Sequence, residues 1–198
     1  MSVRFFLVLS FFSFVLMANP VYGQKEIYRL RWGMDVPIAT IGIGTTTASF
    51  LLKKNKSPLT ESQINSLSAL SINRFDRNAT KQWNPKIAKI SDVAMLGGMA
   101  MPGLLYIDKD IRKDYKSILP MTLEMYFLTY GLTGLTKELV KRNRPFLYNS
   151  DVPLDEKISK DATSSFFSGH TSMTAASCFF TAQVYADYHP DSKWKPLV

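Results

Sequence analysis

A chain of 198 residues has the length of one domain, and removing an export signal from it would still leave enough to bury a core. At 46% hydrophobic and 20% charged it is too apolar for disorder and slightly under-charged for an ordinary soluble protein, so membrane contact stays open. The net charge of +8 points to anionic partners such as phosphate esters, acidic head groups or nucleic acid, and the single cysteine, Cys178, excludes an intramolecular disulfide.

Arg4, the uncharged run Phe5 to Ala18 and the small residues leading to Gly23 match a secretory signal over residues 1–23, so the mature domain would run from 24 to 198. An uncleaved anchor is the other reading, although the run is short of the ~20 residues that a span needs. Both readings send the chain to the export pathway, to the periplasm or the inner membrane.

Val36 to Leu52 is apolar and closes on Lys53-Lys54-Asn55-Lys56, which predicts a helix with cations at its C-terminus. Gly42 and Gly44 inside it lack the spacing of a nucleotide loop and read as close helix packing. Ser57 to Lys89 predicts a long connection with short helices, one of them starting at Leu59-Thr60-Glu61. Within it Arg74, Arg77, Lys81, Lys86 and Lys89 alternate with Phe75 and Trp83. Asp76 and Asp92 interrupt that pattern and no recognised module follows, so a solvated or head-group-facing surface is expected, and no nucleic-acid partner. Ser91 to Ile107, with Gly97-Gly98, predicts a second buried helix. Asp108, Asp110 and Asp114 lack the glycine and glutamate of a calcium loop, and no metal is expected there. Ser117 to Thr136 is a third apolar run that flows into Lys137 to Arg142, and Ser168 to Ala186 is the last helical pattern, in which Cys178 reads as a small buried hydrophobe. With no strand pattern and no repeat, the expected fold is an all-α helical bundle.

Lys137, Lys141 and Arg144 stand at i, i+4 and i+7, one cationic stripe if the helix persists to Pro145. Taken alone, such a stripe reads as cations that complement the macrodipole. The segment Ser164 to Ser172 then places hydroxyls, Gly169 and His170 at the start of an apolar helix. Unpaired N–H groups there can hold an anion, Ser168 adds a hydroxyl, and His170 can exchange a proton near neutral pH.

Together, Lys137, Arg144-Pro145 and Ser168-Gly169-His170 resemble the first two signatures of the phosphatidic acid phosphatase type 2 (PAP2) and vanadium haloperoxidase superfamily. The match carries motifs from Lys137 to about Cys178. Phe167 stands where the family usually has proline. The resemblance implies a helical phosphatase in which Lys137, Arg144, Ser168 and the Gly169 amide bind phosphate and His170 protonates the leaving group. It implies no cofactor and no metal. The substrate would be a phosphorylated lipid or a small phosphate ester, with the membrane surface as partner. The family's third signature, which carries a nucleophilic histidine, is absent from this sequence. His189 lacks its arginine and aspartate neighbours, so a C-terminally incomplete domain, inactive as it stands, is expected. The alternatives are a soluble phosphatase of small phosphomonoesters and an inactive membrane or binding protein.

Overall fold

The structure is a computed structural model and describes residues 27–193. The expected signal over residues 1–23 lies outside them, as does the tail from Trp194. Among the described residues seven α-helices follow in order: α1 (Trp32–Asn55), α2 (Glu61–Asn65), α3 (Pro85–Leu104), α4 (Lys109–Lys113), α5 (Tyr115–Val140), α6 (Leu154–Lys157) and α7 (Gly169–Tyr188). Short 3-10 turns link them, and no strand occurs among the described residues. The all-α expectation holds.

The bundle rests on two helix pairs. On α1 and α5 the contacts climb in step: Gly42 meets Leu128, Thr45 meets Gly131, Ser49 meets Gly134, and Lys56 meets Glu138, so the two helices run parallel. A Cβ built on Gly131 would lie 2.2 Å from Thr45 Oγ1 and 2.8 Å from the Gly42 carbonyl oxygen, and one on Gly134 would lie 2.8 Å from Ser49 Oγ. Only hydrogen fits at these crossings. Thr46 donates to the Phe127 carbonyl at 3.1 Å across the same seam. The expectation of close packing is thus met by Gly42, whereas Gly44 faces open space.

The pair α3 and α7 is also parallel, with Asp92 beside His170 and Gly98 pressed on Thr174. It runs antiparallel to the first pair, because Lys137 at the end of α5 approaches Gly169 at the start of α7. Consequently α1 and α5 end, and α3 and α7 begin, at one end of the bundle. The main core cluster, Leu105, Ile111, Ile118 and Val184, fills the other end.

Two expectations need correction. The second helix begins at Pro85, six residues before Ser91, because the Asn84 side chain accepts from the Lys86 and Ile87 amides and proline fits the first turn. Nor is it buried: Ile87, Ile90, Val93, Leu96 and Ile107 are exposed, since one narrow face alone packs on α7. Likewise Cys178 is half-buried. Helix α1 and the stretch Pro85–Ile107 are long and apolar enough to cross a membrane. Thr40 and Thr47 on the exposed side of α1, like Thr45 at the seam, return their hydroxyls to carbonyls four residues back. The short helix α2 starts where expected, on a capping box between Thr60 and Gln63.

Gly131→Ala should cost ~1–3 kcal/mol of unfolding free energy through overpacking. Gly44→Ala should be neutral or stabilise by up to ~1 kcal/mol on helix propensity. Denaturant unfolding of the two variants measures the contrast, and equal effects would show that the α1–α5 seam is not close-packed.

Candidate active site

Lys137 lies in the last turn of α5, half-buried, where its cation also complements the helix dipole. Its ammonium sits 3.4 Å from the point a Gly169 Cβ would occupy. Burial pushes the Lys137 pKa below 10.5, and the nearby charges of Arg144 and Lys53 add to the effect, against the pull of Asp161 and Glu138.

The cationic stripe expected from spacing does not form. Helix α5 stops at Val140 because Lys141 adopts a left-handed conformation, φ 48°, and returns its N–H to the Lys137 carbonyl at 3.0 Å. Lys141 is therefore left exposed, and Arg142 turns to an ion pair with Asp76. Arg144 reaches the site by another route. Its backbone N–H donates to the Ala162 carbonyl at 2.7 Å, its Nε to the Asp161 carbonyl at 3.0 Å, and its Nη2 pairs with the Asp161 carboxylate. The guanidinium is held along one edge, with further donors left for an anion. Burial would raise the Asp161 pKa, but the charges of Arg144, Lys53 and Lys137 outweigh it and hold the carboxyl below its usual range.

Ser168 is the N-cap of α7: its Oγ accepts from the Thr171 amide at 3.3 Å and the Thr171 hydroxyl at 3.1 Å, which leaves its own proton to donate. Gly169 and His170 are the first helical residues, where amides are unclaimed by the helix itself. The His170 Nε2 lies 2.7 Å from Asp92 Oδ1 on α3, which fixes the ring.

Behind these residues is a buried charged knot. Lys56, just past α1, pairs with Glu138 Oε2 at 3.1 Å and donates to Ser164 Oγ at 2.9 Å, while Ser164 donates to Glu138 Oε1 at 3.1 Å. Both charged side chains are less than 10% exposed.

Lys137, Arg144, Ser168, Gly169 and His170 all line one cavity of about 320 Å³, together with Ser164, Ser165, Ala79, Gln82, Trp83, Pro145 and Phe146. His189 is not among them. It caps the far end of α7 and bonds to Asp108 at 3.0 Å. Nineteen residues of helix put it about 29 Å from His170. Reading the sequence missed Asp92, Asp161, the Lys56–Glu138–Ser164 knot and the apolar wall of Trp83 and Phe146. The spacing of Arg144 pointed to a helix position that it does not hold.

Glu138→Ala should cost ~3–5 kcal/mol, since it strands a buried ammonium, whereas a Lys56→Met/Glu138→Leu double replacement should recover most of that loss. Urea titration of both decides it: equal losses would mean that the cost does not come from an uncompensated buried charge.

A family model described as the PAP2 superfamily matches residues 121–195. No curated protein and no solved structure matches the chain. The matched stretch contains most of α5, the Lys137–Arg144 turn, the Ser168 cap and α7, so it is over these elements that the chain is similar to the PAP2 superfamily.

Proposed function

We propose that this chain provides the phosphate-binding and leaving-group half of a metal-independent phosphatase acting on a lipid phosphate or lipid pyrophosphate at a membrane surface, with the site on the exported face. One observation carries the reading: Lys137, Arg144, Ser168, Gly169 and His170 meet in a single cavity whose described lining is cationic and holds no carboxylate. A phosphate in that cavity would take the free edge of the Arg144 fork, the Lys137 point charge, the Ser168 hydroxyl and the first amides of α7. Two-metal chemistry needs clustered carboxylates, and this arrangement supplies cations in their place. His170 would protonate the departing oxygen so that it leaves without full negative charge. With Asp92 accepting at Nε2, the Nδ1 side of the ring is left for that task.

The covalent route also needs a nucleophilic histidine. The sequence has two histidines, and His189 is at the far end of α7. That separation favours a second reading for these 198 residues alone, phosphate binding without turnover. The membrane part of the proposal rests on the exposed apolar faces of α1 and α3 and on Lys53, Lys54, Lys86 and Lys89 around the site end, which suit anionic head groups.

The 198-residue chain should bind inorganic phosphate and vanadate without added metal, measured by calorimetry in chelator, and should turn over negligibly. Arg144→Lys should weaken binding about tenfold through loss of the bidentate fork. Robust hydrolysis by this chain that His189→Ala abolishes would overturn the role assignments. Phosphate binding should fall as pH rises through the lowered pKa of Lys137, below the ordinary 10.5, because only the ammonium attracts the anion. Lys137→Met should remove that limb, and a limb unchanged in the variant would assign it elsewhere.

Topology gives a further check. With Cys178→Ser as background, Asn55→Cys and Asn149→Cys should react with an impermeant thiol reagent from the same, exported side. Labelling of Asn149→Cys only after permeabilisation would show that the site faces inward.

A further inference from the structure

The cavity has a second wall that the phosphate-binding scheme does not use. Ala79, Gln82, Trp83, Pro145 and Phe146 line it, and none of them carries a charge. Trp83 and Phe146 come from distant segments, yet their rings meet at 5.5 Å with an interplanar angle of 58°. Both are partly exposed. Phe146 is anchored from behind, packed on the cluster of Ile64, Leu147 and Ala162. Trp83 directly precedes Asn84, the cap of α3, and follows the 3-10 turn Arg77–Lys81. The wall is therefore tied to both helix pairs, and it begins one residue after Arg144.

We propose that Trp83 and Phe146 form the leaving-group subsite and that it takes an unbranched apolar chain joined to the phosphate oxygen. The proposal rests on the phosphatase reading and narrows its substrate to alkyl-type phosphates. Two rings inclined at 58° make no parallel slot in which a nucleobase could stack, whereas a flexible chain can follow both faces. A sugar would need several hydrogen-bonding partners, and the aromatic wall offers the Gln82 amide. Burial of a methylene is worth ~0.8 kcal/mol, about fourfold in affinity at 25 °C. Chain length is therefore the property such a wall reads.

The test is calorimetric titration of the full 198-residue chain with inorganic phosphate and with methyl, butyl and hexyl phosphate. The wild-type chain should bind each longer ester more tightly, by roughly two- to fourfold per methylene over the first few carbons. Trp83→Ala should flatten that gradient to less than about 1.5-fold per methylene while leaving inorganic phosphate within about twofold, and Trp83→Phe should keep most of it. With Trp32→Phe and Trp194→Phe in place, hexyl phosphate should shift the Trp83 emission to shorter wavelength and inorganic phosphate should not. If inorganic phosphate binds and the wild-type gradient is flat, the subsite is refuted while the phosphate site stands. If Trp83→Ala weakens inorganic phosphate as much as hexyl phosphate, Trp83 is a structural support and the subsite is refuted. If neither ligand binds, the phosphate site itself falls, and the subsite with it.

Discussion

Lys56, Glu138 and Ser164 hold the functional end of the molecule together. Two charges removed from water lose several kcal/mol each in solvation, and their attraction offsets this only when the remaining polar atoms are also bonded. Ser164 completes the arrangement by accepting from the lysine and donating to the carboxylate. The three residues come from the end of α1, the last turn of α5 and the loop before α7. Glu138 is the neighbour of Lys137, and Ser164 stands four residues before Ser168. Closing the knot therefore sets both halves of the candidate cavity at once, and it makes α1, which lies ahead of the stretch matched by the family model, part of the cavity's support.

The same end of the bundle gathers cations at an electrostatic cost. The lowered pKa of Lys137, driven by burial and by Arg144, shows that its charge is held against its surroundings, and Asp161 relieves the strain only in part. Asp161 stays ionised because Arg144, Lys53 and Lys137 surround it. On the proposed reading, a phosphate dianion entering beside these groups would meet cations whose desolvation and mutual repulsion were already met in folding. Its binding would be favoured by preorganisation more than by any one contact.

The apolar runs made the main helices legible, because burial or membrane contact leaves the same mark on composition. The cavity lining was legible where its residues are close in sequence, as at Ser168, Gly169 and His170. Arg144 was found by its motif and misplaced by its spacing. Periodicity assumes that the helix continues, and nothing local announced that Lys141 would take a left-handed turn in place of a glycine. Gly42 and Gly44 look alike in sequence, yet one touches α5 and the other faces open space, a difference set by the crossing point alone. Asp92 and Lys56 find His170 and Glu138 across 78 and 82 residues of chain (170−92 and 138−56), so their pairing depends on the tertiary approach of whole helices. The burial of α3 was overestimated because apolar composition does not distinguish a protein neighbour from a lipid one.

Parallel packing of α1 on α5 couples the orientation of the site to the fate of α1. Wherever Asn55 emerges, Lys137 emerges too, because Lys56 and Glu138 are bonded directly. If the chain entered α1 from the exported side and α1 crossed, the cavity would be carried to the inner face. Lys53, Lys54 and Lys56 would then sit where positive residues are favoured. An outward-facing site requires the opposite entry, or helices that lie against the membrane without crossing. The structure suits the latter geometrically: the exposed Thr40 and Thr47 hydroxyls of α1 are bonded within the helix, and α3 offers an apolar face from Ile87 to Leu104 flanked at its start by Lys86 and Lys89. A helix of that pattern can rest in the interface with its lysine stems extended toward head groups. In that pose the start of α3, and with it Trp83 and the apolar wall of the cavity, would lie at head-group depth.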